Sequence, residues 1–239
     1  GIPNFYHRFG YVGAFPEIRT ILQTRDVAPA QGAVQYEPFE GPVSELASLY
    51  NAENEGVTGT YVRPTYRLNR RRKKFTIYRF AAGYAVCGRE GDTMEVADCA
   101  GDPATVLEVI RQRAVAELCS RIVFVFLPPR SRMGEYLQTL SHVMQIDRNA
   151  AGGPMMKIVN LQRTMEKVAP ELTSRLAASP LHSYSGTLAL YGDGDGVVMG
   201  ISSGEVSEVM PAAADTTANG TVTAGPALVR LLIGGGDPH

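Results

Sequence analysis

Ile122-Val123-Phe124-Val125-Phe126-Leu127 is apolar at all six positions. A strand with one solvated face alternates apolar and polar residues, so an unbroken apolar run predicts a strand covered on both faces. That places it at the centre of a layered α/β sheet. Just before it, the sequence predicts a helix from Pro103 to Leu118. Asp102 is available as its cap and Pro103 fits its first position, while Leu107, Ile110, Ala114 and Leu118 share one face. Three strands are expected further upstream, at Phe75–Phe80, Tyr84–Arg89 and Thr93–Ala97. Ala81-Ala82-Gly83 and Glu90-Gly91-Asp92 join them and have hairpin composition. Downstream, a helix from Arg132 to Leu140 precedes strands at Val143–Ile146 and Met155–Val159, on either side of an Ala-Ala-Gly-Gly-Pro loop.

Outside this block the texture changes twice. After Gly41-Pro42, Val43, Leu46, Leu49 and Tyr50 recur with a helical period, behind a short extended stretch at Gln35–Phe39. Beyond Asn160, Leu161, Met165, Val168, Leu172 and Leu176 make a long apolar stripe that Pro170 is expected to kink or split. Strands follow at Gly186–Tyr191, Val197–Ser202 and Val206–Val209, with Gly192-Asp193-Gly194-Asp195-Gly196 as a turn. A last helix starts at Gly225-Pro226 and runs through Ile233.

Composition removes several classes of function. The chain of 239 residues carries a formal net charge of −1, which leaves no global electrostatic footprint for nucleic acid or an anionic membrane. No apolar run approaches the roughly 20 residues of a membrane span. The three cysteines, Cys87, Cys99 and Cys119, have neither CxxC spacing nor nearby histidine pairs. Reduced thiols in a cytoplasmic protein, with no metal site, are therefore expected.

The chain opens on Ile2-Pro3-Asn4-Phe5-Tyr6-His7-Arg8-Phe9-Gly10-Tyr11. Locally this reads as a short helix with Pro3 at its first position, Phe5 and Phe9 facing the same way, and Gly10 ending it in the left-handed conformation. Strands are expected next, at Tyr11–Phe15 and Ile18–Leu22. The pattern Phe-Tyr-x-x-Phe-Gly-Tyr resembles the closing helix and strand of the catalytic domain in GNAT-superfamily N-acetyltransferases. More narrowly, it is similar to the multi-domain enhanced-intracellular-survival type. The strand, strand, strand, helix, strand, helix, strand order from Phe75 to Val159 resembles a second GNAT-like domain, and the helix-then-meander beyond Asn160 resembles that family's sterol-carrier-protein-like module.

The resemblance implies an α/β to α+β fold: a GNAT-like mixed sheet with helices on both faces, plus a sterol-carrier-like helix and antiparallel sheet. It implies three parts: residues 1–31 as the remnant of a catalytic domain, 32–159 as a second, degenerate GNAT-like domain, and 160–239 as a partial sterol-carrier-like module. The acetyl-CoA-binding front of the first domain would be missing and the last module cut short, so the chain is expected to be a fragment, inactive alone. The parent would transfer acetyl from acetyl-CoA to a primary amine of a small molecule or peptide. Neither nucleic acid nor membrane is expected as a partner, and a homo-oligomer is left open.

Tyr6 carries the catalytic expectation. A phenol within hydrogen-bond reach of the thioester sulfur can protonate the departing thiolate. By resemblance Tyr6 is that acid; on composition alone it is a packing residue. Several enzymes of the type it resembles use their own C-terminal carboxylate as base, which His239 comes too early to supply, so the base is unassigned. In the second domain the superfamily's pyrophosphate loop corresponds to Ala97-Asp98-Cys99-Ala100-Gly101-Asp102-Pro103. One glycine, two acids and a proline oppose an anion there, because phosphate needs free backbone N–H donors at a helix N-terminus.

The remaining candidates have plainer readings. Arg67 and the run Arg70-Arg71-Arg72-Lys73-Lys74 are expected to be a solvated loop entering a strand, with no interleaved aromatics for base stacking. Asp193–Gly196 lacks the alternating ligands and terminal glutamate of a calcium loop and reads as a hairpin turn. His7, His142 and His182 show no metal-ligand spacing. The competing function is a non-catalytic module holding a lipid or another apolar ligand in a cavity lined by Leu161, Met165, Val168, Leu188, Leu190 and Met199; a packed core there, with Tyr6 at the mouth of a missing cofactor groove, favours the transferase instead.

Overall fold

The structure, a computed structural model, describes residues 5–32, 34–42, 44–57, 60, 63, 75–125, 127–147, 155–213 and 215–233. Pro3, Val43, the basic run at 67–74, Phe126, the loop at 150–154 and His239 lie outside the described residues. A 3-10 turn at Tyr6–Phe9 leads into β1 (Val12–Gly13), followed by β2 (Glu17–Gln23), β3 (Glu37–Pro38), α1 (Ser44–Glu53), β4 (Thr76–Phe80) and β5 (Gly83–Glu90). Then come β6 (Thr93–Ala100), α2 (Pro103–Ala116), β7 (Arg121–Val125), α3 (Arg132–Gln138) and β8 (Val143–Asp147). The chain continues through β9 (Met155–Met156), α4 (Leu161–Ala177), β10 (Gly186–Tyr191), β11 (Gly196–Ser202), β12 (Glu205–Pro211), β13 (Gly220–Thr223) and α5 (Leu228–Leu232).

These elements form two compact units, Pro16–Arg148 and a second made of Gly1–Phe15 with Asn149–His239. These units follow the strand pairing. β2, grouped by sequence with the N-terminal segment, is hydrogen-bonded between β7 and β8 inside the larger sheet. β9, grouped with the middle domain, pairs with β1.

The larger unit is a seven-stranded mixed sheet in the order β3-β4-β5-β6-β7-β2-β8. Among these pairs only β6 and β7 are parallel, with α2 as their connection. A parallel pair needs such a crossover, because a tight hairpin reverses direction. The hairpins expected at Ala81–Gly83 and Glu90–Asp92 join β4 to β5 and β5 to β6. α2 and α3 cover one face, where Val106, Leu107, Ile110, Met133 and Leu137 pack on Tyr78, Phe80, Cys87, Met94, Ile122 and Phe124. α1 covers the other, where Leu46 and Ala47 pack on Ile77, Tyr84 and Val86. Helices on both faces of a mixed sheet are what the resemblance implies.

β7 sits inside the sheet, as its apolar run requires, but its two faces differ. Ile122 and Phe124 are fully buried against the α2 side, while Val123 and Val125 are half-buried. The helix before it ends two residues earlier than predicted. Leu118, expected on the buried face, takes a left-handed φ of 57° and is 83% exposed. The Glu117 and Cys119 amides bond back to Arg113 and Ala114, so Leu118 occupies the helix-ending position usually filled by glycine.

In the second unit, β12-β11-β10-β13 form a four-stranded sheet in that order. α4 lays Leu161 and Met165 on Leu190, Val197 and Met199, and Leu228 of α5 closes the same core. Pro170 does not split α4; the helix runs continuously past it. Gly192–Asp195 makes the expected turn between β10 and β11, closed by the Gly192 amide on the Asp195 carbonyl at 2.8 Å.

Candidate functional site

Tyr6 lies on a turn made by local rules. The Gly10 amide bonds the His7 carbonyl at 3.0 Å, the Tyr11 amide bonds the Tyr6 carbonyl at 3.3 Å, and Gly10 takes a φ of 76°. That conformation costs a side-chain-bearing residue about 1–2 kcal/mol and glycine nothing. The turn is tighter than the helix expected, and it brings Phe5 and Phe9 to 5.4 Å between ring centroids, as the spacing predicts. Tyr6 stands edge-on to Phe5 at 5.3 Å and to Tyr11 at 5.9 Å. Tyr6 as a residue is 55% exposed, with its ring packed edge-on to those two neighbours.

The second place to test is the turn between β6 and α2. The β6–β7 ladder ends at Val96 and Phe124, and β6 continues beyond it to Ala100. Cofactor phosphates would meet the N-terminus of α2 here. Asp102 already occupies it, accepting the Thr105 backbone N–H at 2.9 Å and the Thr105 hydroxyl at 2.8 Å. These bonds hold the Asp102 carboxyl below its usual range. Gly101, at φ 123°, lets its backbone approach Gly83, whose Cα would lie 2.9 Å from any Cβ built there. Both donor count and charge are wrong for a pyrophosphate.

The surroundings reinforce this. Asp98 pairs with Arg63 at 2.7 Å, and the Arg63 guanidinium lies 3.5 Å from the Tyr50 ring centre. Asn51 pins the Arg63 backbone with two bonds of 2.8 Å. Glu53 lies 3.5 Å from the Gly101 amide and 3.5 Å from Arg132. Burial raises its carboxyl against the opposing pull of Arg132 and the Gly101 N–H. Burial likewise pushes the neighbouring Cys99 thiol up, with Asp98 and Glu53 adding to it. Sequence reasoning found the two aspartates but neither Glu53 nor Arg63. Nothing local marks them, since Arg63 meets Asp98 across 35 positions.

The other candidates fall into place as structural groups. Cys87 and Cys119 lie in the core of the larger unit, and burial pushes the Cys87 thiol up to about 12. A thiol so raised is not a nucleophile at neutral pH. His142 and His182 each lie beside a local backbone carbonyl, of Leu140 and Ser179. Leu161, Met165, Leu190 and Met199 are buried in one packed cluster with Leu188 against it. The small cavity at the edge of that cluster, between Lys157, Leu161 and Asp193, has a volume of about 20 Å³, room for about one water. Among the described residues no helix is long and apolar enough to cross a membrane.

The chain matches no family profile and no curated protein. Its fold, however, is similar to solved structures. One is a protein from Enterococcus faecalis described as "Probable N-Acyltransferase", with a TM-score of 0.64 at 16% identity, covering 96% of this chain and 59% of that one. A GCN5-related N-acetyltransferase from Anabaena variabilis gives 0.58 at 14% identity, covering 95% and 59%. Eis1 from Mycobacterium abscessus gives 0.57 at 16% identity, covering 97% and 61%. This chain thus spans about 60% of the length of those structures. At such identities the likeness is one of fold, and the fold is GNAT-like.

Proposed function

We propose that this chain is part of an acetyl-CoA-dependent N-acetyltransferase of the multi-domain enhanced-intracellular-survival type, acting on a primary amine, with Tyr6 as general acid. The observation that carries this reading is the Tyr6 turn, ended by Gly10 in the left-handed conformation, which leaves Tyr6 more than half exposed beside the packed rings of Phe5 and Tyr11. The GNAT-like fold supports it. In the reaction the amine nitrogen bonds the acetyl carbon and the carbon–sulfur bond breaks. The departing sulfur takes the phenol proton, and the proton lost by the amine passes to solvent. Solvent then restores the phenol.

The larger unit supplies no cofactor site in this reading, because Asp102 caps α2 and Asp98 and Glu53 line the approach. Residues 160–239 act as a sterol-carrier-like module, a reading that fits the packing of Leu161, Met165, Leu190 and Met199 into one cluster. The test is an acetyl-transfer assay on the complete protein that the gene encodes, with acetyl-CoA and a panel of primary amines. Amine-dependent release of free CoA thiol supports the proposal; hydrolysis alone, or no turnover with any amine, contradicts it.

A further inference from the structure

Residues 5–15 fold with the C-terminal part of the chain, and contacts among the described residues attach them. Val12 and Gly13 pair with Met156 and Met155 in a ladder of two residue pairs. Gly10 is seated against the β10–β11 turn: a Cβ there would collide with the Asp193 carboxylate and come within 3.3 Å of Lys157 Nζ. Arg230 Nε donates to the Gly13 carbonyl at 2.7 Å, joining positions 217 residues apart. Arg230 is held in turn, because Leu228 and Val229 beside it on α5 are buried in the core.

A two-pair ladder is far too short to be stable by itself. The direction of the turn therefore depends on Arg230 and on the seat around Gly10, and a charge-assisted bond is the stronger kind of anchor. We infer that Arg230 is a positioning residue for Tyr6: by gripping Gly13 while Gly10 rests on Asp193 and Lys157, the C-terminal module fixes where the Tyr6 phenol points. The inference rests on the proposed role of Tyr6. A general acid must stay within about 2.6–3.2 Å of the atom it protonates, and a misplacement of about 1 Å can cost on the order of 10²-fold. Loss of Arg230 should accordingly reach kcat rather than KM.

Two measurements test this. Amide hydrogen exchange on this chain, with Arg230→Ala and Arg230→Lys, reads the attachment without any activity. In Arg230→Ala the Gly10 and Tyr11 amides should exchange roughly tenfold faster, amides of β4–β7 should not change, and Arg230→Lys should restore most of the protection. Unchanged protection at Gly10 and Tyr11 overturns the inference. In the complete protein, Arg230→Ala should lower kcat by about tenfold at unchanged KM for the acetyl donor, with Arg230→Lys recovering it. If Tyr6→Phe lowers kcat but Arg230→Ala changes neither exchange nor kcat, the positioning role fails and the acid role stands. If exchange responds but Tyr6→Phe leaves kcat unaltered, the acid role has failed, and Arg230 anchors a segment without catalytic use, which also overturns the proposal.

Discussion

Asp102 accepts two hydrogen bonds from Thr105, one from its backbone N–H and one from its hydroxyl, and so fills the N-terminus of α2 with a protein carboxylate. A phosphate would have to displace that carboxylate and then face Asp98 and Glu53. Isothermal titration of this chain with acetyl-CoA should therefore show no saturable micromolar binding, and observing such binding overturns that account. Asp102→Ala should cost about 1 kcal/mol through loss of the cap, read in urea unfolding, without creating affinity for the cofactor.

Glu108 ties α2 to the loop before the first helix of its unit. Its carboxylate takes two bonds of 2.8 Å from Arg111, one from Gln112 and one from the Ala30 amide. The Arg111 bonds above all hold its carboxyl down at about 2. A carboxyl lower when folded than when unfolded contributes stability above its unfolded value of about 4.3, which is lost as pH falls toward 2. Glu108→Gln should thus be less stable than wild type at neutral pH, by about 1–3 kcal/mol, with the gap closing between pH 4.5 and 2. Unfolding curves taken at several pH values check this, and a pH-independent gap would falsify the assignment.

Phe124 is buried on the α2 side of β7, in the middle of the sheet. Phe124→Ala should cost about 3–5 kcal/mol, the range for a buried aromatic that leaves a cavity. Against a domain stability of about 5–15 kcal/mol this leaves the unit marginal. Val123→Ala, on the half-buried face, should cost clearly less. Equal losses in thermal melts would mean that both faces are equally covered.

The order of elements in the larger unit was legible because it is written in local patterns: the apolar run at Ile122, the Asp102-Pro103 helix start and the hairpin turns. The exposed flip at Leu118 was not, since the periodic pattern continues through it and only the reversal into β7 ends the helix there. The grouping of strands was harder still. β2 reads as a strand and β9 as the first two residues of the longer strand expected at Met155–Val159, yet their partners lie about 100 positions or more away, and no local signal specifies them. The same holds for the sites: Asp98 and Asp102 stand in one turn and were visible, whereas Glu53, Arg63 and Arg230 act across long separations.

In the proposed reaction Tyr6 gives its proton to the departing thiolate. Steady-state kinetics of the complete protein, wild type against Tyr6→Phe, test it most directly, because the substitution removes one hydroxyl from an exposed ring and leaves the turn intact. Loss of the hydroxyl should lower kcat by roughly 10²–10⁴-fold with acetyl-CoA affinity nearly unchanged. A kcat equal to that of wild type would contradict it and remove Tyr6 from the mechanism.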